Sequence, residues 1–197
     1  GLCSTPLFNV TMGLSQGAYD LGIMVTASHN PGKYNGFKLI RGDVSPIGQG
    51  SGMEELAAAY EADEPIQSSV VRGEVKEDGT TLLRYVDYIL KLAELPVDMP
   101  VSKIVIDCGN GMAGHVLPAL LGKLPWLQAE RLYFELDGNF PHHEANPIKS
   151  ETLSDLSGRV VESGAALGVA FDGDADRVGF VDEAGKPIAG DIMLACL

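Results

Sequence analysis

Basic residues are scarce in this sequence, and it has no long apolar run. Its 197 residues contain 14 Lys and Arg against 27 Asp and Glu, giving a net charge of −13 at pH 7. Proteins that bind nucleic acids neutralise phosphates with Lys and Arg, so this charge balance argues against a nucleic-acid partner. No stretch approaches the ~20 consecutive apolar residues that cross a bilayer, so we also expect no membrane partner.

Cysteine is rare as well. The three cysteines, Cys3, Cys108 and Cys196, are far apart in the sequence and form no CxxC pair. An odd and scattered set supports neither a disulfide framework nor a thiolate zinc site. We therefore expect the protein in a reducing, cytoplasmic setting.

The length and the apolar content are sufficient for one or two folded domains. With 45% hydrophobic residues the chain can bury a core, and a domain typically takes about 100–200 residues. The sequence begins at Gly1 rather than Met, and it ends at Leu197, soon after a helix is predicted to begin at Gly190. We therefore expect this sequence to be a fragment of a longer protein.

The first third of the sequence predicts a strand, a loop, a second strand and a helix. Residues 22–26 and 36–40 are short apolar runs, and the residues between them are rich in Gly, Pro and Asn,. Ser51 and Glu54 have the spacing of a helix capping box. Pro65 follows the helix that this box is expected to open.

Strands and helices alternate along the rest of the chain, as they do in parallel βαβ sheets. The predicted elements are a helix from about 78 to 90, a strand over 103–107, a helix from 112 that contains Pro118, and strands over 131–136 and 166–171 separated by a helix over 150–162. The predicted fold class is α/β, with two consecutive units whose mixed, mostly parallel sheets are sandwiched by helices. We place the units at residues 1–78 and 79–182, with the start of a third at 183–197.

A serine lies in a short polar loop directly after the first predicted strand. Residues 26–31 read TASHNP, so Ser28 is beside His29 and Asn30, and Pro31 stiffens the loop. A serine in this setting can be a covalent nucleophile or a phosphate carrier. A simple turn, in which these residues only satisfy backbone groups, is an equally good interpretation.

Three carboxylates are crowded into the loop that follows the predicted strand over 166–171. Residues 172–177 read DGDADR, with Asp172, Asp174 and Asp176 at every second position. Like charges raise one another's pKa unless a cation neutralises them, and Mg²⁺ prefers oxygen ligands of this kind. Arg177 comes next and can hold a phosphate oxygen with its planar guanidinium group.

Two other interpretations of the acidic loop stay open. Together with Glu183, its aspartates occupy positions 1, 3, 5 and 12 of an EF-hand calcium loop,. Position 6, where such a loop has Gly, is Arg177, and both flanks predict strands rather than helices. A solvated acidic turn without any ion is the second alternative.

The pair of motifs resembles that of the α-D-phosphohexomutase family, which includes bacterial phosphomannomutases and phosphoglucomutases. YNGFK at 34–38, IDCGNG at 106–111 and DGNFPHHEANP at 137–147 are also similar to segments of that family. The resemblance covers nearly the whole chain and implies part of domain 1, domain 2 and the start of domain 3. The family's sugar-recognition loop, its later phosphate-binding loop and an early substrate-facing Arg segment are not found here.

The resemblance implies a role for each matching residue. The implied catalytic residues are Ser28, His29, Lys38 and Arg177, and the implied ligands of Mg²⁺ are Asp172, Asp174, Asp176 and the phosphate on Ser28. His29 and Lys38 match positions that assist proton transfer, and which of them is acid or base stays open. The implied reaction exchanges hexose 1-phosphate and 6-phosphate, with mannose or glucose as the hexose, through a hexose 1,6-bisphosphate.

Two alternative functions agree with the same residues. A metal-dependent phosphohydrolase would use Ser28 as its nucleophile and release phosphate to water. A noncatalytic fragment would only bind the metal. Among the mutases, GFK at 36–38 and FPHH at 140–143 favour the phosphomannomutase/phosphoglucomutase type over phosphoglucosamine mutases, and no pattern indicates an oligomeric state.

Two further polar groups have structural interpretations. His142, His143 and Glu144 suggest a metal site by composition, but adjacent histidines in a Pro-rich loop usually point in different directions. The turn at 107–111 offers an anion site before a helix, but a tight turn in a βαβ unit needs the same glycines. We expect both groups to be structural.

Overall fold

The computed structural model describes residues 1–62 and 73–196. Its elements are α1 (Thr5–Leu14), β1 (Leu21–Val25), β2 (Phe37–Arg41), β3 (Pro46–Ile47), α2 (Met53–Glu61), α3 (Thr81–Ala93), β4 (Ser102–Asp107), α4 (Ala113–Leu121), β5 (Leu127–Leu132), a 3-10 helix (Ser150–Leu153), α5 (Ser154–Ser163), β6 (Leu167–Phe171), β7 (Val178–Asp182), β8 (Pro187–Ile188) and α6 (Gly190–Cys196). Two sheets with packed helices confirm the predicted α/β class. Pro65 lies outside the described residues. None of the helices described has the length and apolar character that crossing a membrane requires.

The first sheet has the order β1-β2-β3, and both of its strand pairs are antiparallel. We expected mostly parallel pairing, but a parallel pair needs a long crossover, and β1 and β2 are joined by the loop over 26–36 without a helix. The α1 helix packs closely on β1, since a Cβ on Gly22 would lie 2.9 Å from the Phe8 ring. The loop between β1 and β2 carries Ser28.

The second sheet has the order β5-β4-β6-β7-β8, in which β5, β4 and β6 run parallel and β7 and β8 are antiparallel. Successive residues of β4 face opposite sides of the sheet. Val105 packs with Leu156 and Val160 of α5, whereas Ile106 packs with Leu117 of α4. Helices therefore cover both faces of this sheet, as predicted.

The carboxyl ends of β4 and β6 lie at the same edge of the second sheet, because these strands are parallel neighbours. Asp107 at the end of β4 pairs with Ala170 of β6. The turn after β4 and the acidic loop after β6 are therefore adjacent, and the Met112 N–H donates to the Gly173 carbonyl at 2.9 Å. This edge positions the candidate site.

The predicted capping box is not formed. The α2 helix begins after Gly52, which lacks a side-chain cap. The Ser51 hydroxyl accepts from the Gly48 N–H at 2.8 Å, and the Glu54 carboxylate accepts from the Gly50 N–H at 2.9 Å. Both side chains thus close the turn that precedes the helix rather than cap the helix itself.

Two further differences concern element positions. The strand expected over 131–136 is β5, Leu127–Leu132, because Tyr133 adopts a left-handed φ of 55° and ends the strand,. The α1 helix was not predicted. Its signal is the capping residue Ser4, whose hydroxyl accepts from the Leu7 N–H at 3.3 Å, followed by Pro6 in the first turn,.

Candidate active site

The loop between β1 and β2 presents Ser28 in an unusual backbone conformation. Ser28 has a φ of 57°, in the left-handed region that non-glycine residues seldom adopt,. Its N–H donates to the Thr26 hydroxyl at 2.9 Å, and the Asn30 N–H donates to the Ala27 carbonyl at 3.1 Å. These local bonds hold the half-buried serine in a conformation that strain would otherwise disfavour.

The acidic loop folds around the carboxylate of Asp172. The side chain of Asp172 is fully buried, and its Oδ1 accepts the N–H groups of Asp176 and Arg177 at 2.9 and 3.1 Å. The loop joins β6 to β7, and Glu183 lies beyond the far end of β7. Strands rather than helices flank the loop, so it is not an EF-hand.

The structure brings Ser28 into contact with both ends of the acidic loop. The Ser28 hydroxyl donates to Asp172 Oδ2 at 3.4 Å and accepts from Arg177 Nη2 at 2.9 Å. Arg177 also donates from Nε and Nη2 to Asp172 Oδ2, at 2.9 and 2.7 Å. His29 Nδ1 is 3.4 Å from the same hydroxyl. A phosphate on Ser28 would therefore lie directly beside a fixed guanidinium group.

Asp174 is held by side chains from the first sheet and its helix. Its Oδ2 accepts from Lys38 Nζ at 2.7 Å, from the Thr5 hydroxyl at 2.8 Å and from the Thr26 hydroxyl at 3.1 Å. Lys38 Nζ also donates to Asp176 Oδ2 at 2.6 Å. The site thus lies at the junction of the two sheets.

Thr5 and Thr26 are site residues that the sequence analysis missed. Thr26 begins the TASHNP motif, so its position before Ser28 was an available signal. Thr5 is 169 positions from Asp174 in the chain, and no pattern around it indicates this contact. Its N–H also donates to the Asp174 carbonyl at 2.8 Å, which fixes the start of α1 on the acidic loop.

Burial and hydrogen bonds shift the pKa values of the two buried carboxyls, Asp172 and Asp174, in opposite directions. Burial raises the pKa of Asp172, because it outweighs the hydrogen bonds from Arg177,. Burial also acts to raise the pKa of Asp174, but hydrogen bonds from Lys38 and Thr5 outweigh it and leave that pKa lowered. Asp174 is therefore an anion at neutral pH.

Burial acts to lower the pKa of Lys38, but its hydrogen bonds to Asp174 and Asp176 outweigh this effect and raise the pKa. The side chain is only 34% exposed. The site therefore combines the anionic Asp174 carboxylate with a fixed ammonium group and a fixed guanidinium group. Such a mixture of charges can hold an anion and a cation side by side.

The three aspartates fit a divalent cation. One carboxylate oxygen from each of Asp172, Asp174 and Asp176 lies within 4.8 Å of the others. Asp174 Oδ1 is buried and has no hydrogen-bond partner within the described residues. Buried polar atoms normally have a partner, and an all-oxygen donor set is the set that Mg²⁺ prefers.

The two adjacent histidines of the 137–147 segment contact different residues of the turn after β4, and both rings pack against Tyr133. His142 Nδ1 lies 2.8 Å from Asn110 Oδ1, whereas His143 Nε2 lies 3.0 Å from Asp107 Oδ2. Asn110 has a φ of 58°, and the Gly111 N–H donates to the Cys108 carbonyl at 2.7 Å. The turn after β4 is therefore a tight connection that holds the histidine loop.

The fold and the site define an α/β protein in which a serine loop meets a buried acidic loop at the carboxyl edge of a mixed sheet. Comparison with known families gives the same result. The phosphoglucomutase/phosphomannomutase alpha/beta/alpha domain II model matches residues 84–185, and the domain I model matches residues 1–66. The chain belongs to the phosphoglucomutase/phosphomannomutase family, which confirms the family predicted from its motifs.

Curated relatives and solved structures match nearly all of this chain. A phosphomannomutase/phosphoglucomutase of Pseudomonas syringae pv. tomato is 37% identical over 98% of the chain and 39% of that protein. A phosphomannomutase of Vibrio cholerae is 39% identical over 90% of the chain and 39% of that protein. A probable phosphoglucosamine mutase of Methanosarcina barkeri is 38% identical over 99% of the chain and 43% of that protein.

The fold comparison agrees with the sequence comparison. A phosphoglucomutase/phosphomannomutase family protein of Burkholderia thailandensis superimposes with a TM-score of 0.78, at 29% identity over 100% of this chain and 42% of that structure. A putative phosphomannomutase of Thermus thermophilus gives a TM-score of 0.72, at 25% identity over 96% of this chain and 42% of that structure. The chain thus spans about two fifths of the length of the relatives it matches.

Proposed function

We propose that this chain carries the phosphoserine and metal-binding part of a phosphohexomutase. The enzyme would interconvert the 1-phosphate and 6-phosphate of glucose or mannose through a hexose 1,6-bisphosphate. The observation that carries the proposal is the contact of the Ser28 hydroxyl with both Asp172 and Arg177. The names of the relatives support the same reaction class. The three free cysteines fit the cytoplasmic setting that we expect.

In this proposal Ser28 carries the phosphate. Phosphorylation would add about two negative charges to a site that already holds three carboxylates. Arg177 Nη2 donates to the serine oxygen while Nε and Nη2 also donate to Asp172, so the guanidinium group is held where it can donate to a phosphate oxygen,. Fixed donors of this kind stabilise the charge of a phosphoryl group in transfer without having to reorganise.

The resident cation in this proposal is Mg²⁺. Asp172, Asp174 and Asp176, together with the phosphate on Ser28, would hold it, and the unpartnered Asp174 Oδ1 supports this assignment. When bound, Mg²⁺ neutralises charge on the phosphoryl group. The remaining chemistry belongs to side chains of this chain.

The proposed transfer breaks the bond between phosphorus and Ser28 Oγ and forms a bond from phosphorus to a sugar hydroxyl oxygen. That hydroxyl loses its proton to a side chain at the site, and Ser28 Oγ takes up a proton as it leaves; His29 and Lys38 are the two groups proposed for this exchange. The bisphosphate then turns over, and its other phosphate returns to Ser28. The sugar oxygen released in this second step takes up a proton, so the net change is a phosphate moved between two hydroxyls.

Mass spectrometry of the intact protein tests the proposal. After incubation with glucose 1,6-bisphosphate and Mg²⁺, we expect a gain of one phosphate, about 80 Da, on Ser28. Ser28→Ala should accept none, and Ser15→Ala, at the end of α1, should behave as wild type. With hexose 1-phosphate as substrate, isomerised sugar should greatly exceed free phosphate. Mainly free phosphate would indicate a phosphohydrolase, and full activity in Ser28→Ala would show that the phosphoserine mechanism is wrong.

A further inference from the structure

The loop over residues 137–146, here called the covering loop, packs against the serine loop, which is the β1–β2 connection over residues 26–36. It approaches Gly32 so closely that a Cβ there would lie 2.3 Å from the Gly138 carbonyl oxygen. At Gly173 of the acidic loop, an added Cβ would meet the Ser28 carbonyl oxygen at 2.3 Å and the Phe140 ring at 3.4 Å. The serine loop therefore packs through its backbone on both the acidic loop and the covering loop, and the Phe140 ring of the covering loop lies close to the acidic loop. Packing this tight transmits a shift in one loop to the others.

A buried contact between Asp107 and His143 fastens the covering loop to the second sheet. Asp107 at the end of β4 is fully buried, and its Oδ1 accepts from the Gly109 N–H at 2.7 Å. Its Oδ2 is 3.0 Å from Nε2 of His143, whose side chain is 16% exposed. A buried carboxylate needs a charged or hydrogen-bonding partner, and His143 is the partner that the covering loop supplies.

Both ring nitrogens of His143 face acceptors. Nε2 faces the Asp107 carboxylate, and Nδ1 lies 2.9 Å from the backbone carbonyl of Glu144, which can only accept. A neutral imidazole has one N–H and can satisfy only one of these groups, whereas an imidazolium has two and satisfies both. This geometry favours the charged form of His143.

The other groups around His143 favour the same form. Asp155 lies near it from α5, and the Tyr133 ring packs edge-on at 5.4 Å between ring centres. The hydrogen bond to Asp107 raises the pKa of His143 more than burial lowers it, and the carbonyl of Glu144 adds to the rise.

We infer that His143, held as an imidazolium between Asp107 and the Glu144 carbonyl, is a positioning residue for Ser28. It locks the covering loop onto the turn after β4. The covering loop then holds Gly32 and the serine loop against the acidic loop. His143 forms no hydrogen bond with Ser28 or with the three aspartates of the acidic loop, so it acts on them through packing alone. The inference rests on the proposed function, because it concerns the geometry of the same phosphoserine.

Hydrogen exchange of the intact protein at pH 7 tests the coupling without any sugar phosphate. In His143→Gln, amides in both 137–146 and 26–33 should exchange about tenfold faster or more than in wild type. His115→Gln, on α4, is the matched control and should leave both segments unchanged. If only 137–146 loosens while 26–33 keeps its protection, His143 does not position the serine and the inference is overturned.

A second measurement needs no substitution, so it tests whether His143 positions the serine loop even if His143→Gln does not fold. The ring protons of His143 are followed by NMR as the pH rises from 6 to 9, together with exchange corrected for its intrinsic pH dependence. Exchange over 26–33 should increase at the pH where His143 loses its proton, and in a folded His143→Gln protein this increase should vanish. An increase at a different pH, or none, would overturn the inference. Because the exchange reads the loops alone, a failure of Ser28 to accept phosphate would count only against the proposed function.

Discussion

Lys38 has two opposed effects at the site. Its ammonium group is 2.7 Å from Asp174 and 2.6 Å from Asp176, so it contacts the same carboxylates that are proposed to bind the metal. It therefore competes with a divalent ion for those oxygens. The same positive charge would also help to neutralise a phosphoryl group transferred at this site. Metal affinity and phosphoryl transfer should thus respond to this residue in opposite directions.

Replacing Lys38 with Met separates these effects. Because a competing cation is removed, we expect Mg²⁺ to bind about threefold to tenfold more tightly, a modest gain since solvent screens this partly exposed pair. Phosphate transfer from Ser28 should slow by about 100-fold, since a positioned charge and proton donor is lost. Calorimetry with Mg²⁺ and rapid-quench kinetics measure the two quantities.

Lys33→Met is the control for the loss of one positive charge near the serine loop. Lys33 is exposed, and its ammonium group lies 5.4 Å from the centre of the Tyr34 ring rather than at the carboxylates. It should change neither quantity by more than about twofold. If Lys38→Met bound Mg²⁺ more weakly, Lys38 would be ordering the carboxylates rather than competing for them.

At the scale of single elements, the contact of α5 with β6 depends on Gly168. A Cβ at this position would lie 2.8 Å from Val160 and 2.9 Å from Leu156, both on α5. These two residues belong to the fully buried core on that side of the sheet. Gly158, on the outer side of α5, is exposed, and an added Cβ there meets no atom within 4 Å.

The two glycines should therefore respond to alanine with opposite signs. Gly168→Ala overfills the core and should destabilise the protein by about 1–3 kcal/mol. Gly158→Ala lowers the backbone entropy of a helix residue and should stabilise it by about 0.5–1 kcal/mol. Denaturant unfolding of the two variants beside wild type measures both. A stabilising Gly168→Ala would mean that α5 moves away from the sheet at little cost.

The elements that could be predicted are those whose pattern is local. β4 and β6 are apolar runs that fill a core, and they were found within one residue at each end. α1 was missed because its apolar pattern is weak, although Ser4 and Pro6 mark its start. The early end of β5 depends on the left-handed Tyr133, whose ring stacks on His142 at 3.9 Å between centres, and such a tertiary contact leaves no mark in sequence spacing. The unit boundaries 1–78, 79–182 and 183–197 stay predictions.

The residues of the candidate site also divide into those with a local sequence pattern and those that depend on tertiary contacts. The spacing of Asp172, Asp174 and Asp176 identifies the acidic loop from the sequence alone, because carboxylates this close raise one another's pKa unless a cation neutralises them. Family resemblance adds the roles of His29 and Lys38, and it favours the phosphate carrier over a simple turn for Ser28. The hydrogen bond from the Thr5 hydroxyl to Asp174 and the contact of His143 with Asp107 each join segments far apart in the chain. Only the folded backbone brings them together, so no local pattern predicts them.

At the scale of the whole molecule, the site joins the two sheets mainly through polar groups. Thr5, Ser28 and Lys38 contact the acidic loop from the side of the first sheet. Among the described residues at this junction, the positive and negative charges cancel only in part. A cation bound there would connect groups from both sides of the junction. Its binding should therefore stabilise the folded protein as a whole, since the unfolded chain does not assemble the site.

Mg²⁺ at about 100 times its Kd should stabilise the protein by about 2.7 kcal/mol. This corresponds to a rise of roughly 5–11 °C in melting temperature for a protein of this size. Asp174→Asn should lose most of this rise, and Asp98→Asn, at an exposed position, should keep it. Differential scanning calorimetry with Mg²⁺ and with EDTA provides the comparison. An equal rise in Asp174→Asn would place the ion elsewhere.

The contact between Ser28 and Asp172 closes a segment of 144 residues. Closing a long segment is slow compared with forming local helices and hairpins. We therefore expect this contact to be among the last to form as the chain folds, after each sheet has assembled. If Ser28 accepts phosphate as proposed, the modification would then mark mature molecules only, and the phosphorylated fraction of a freshly made sample would count the chains that have completed folding.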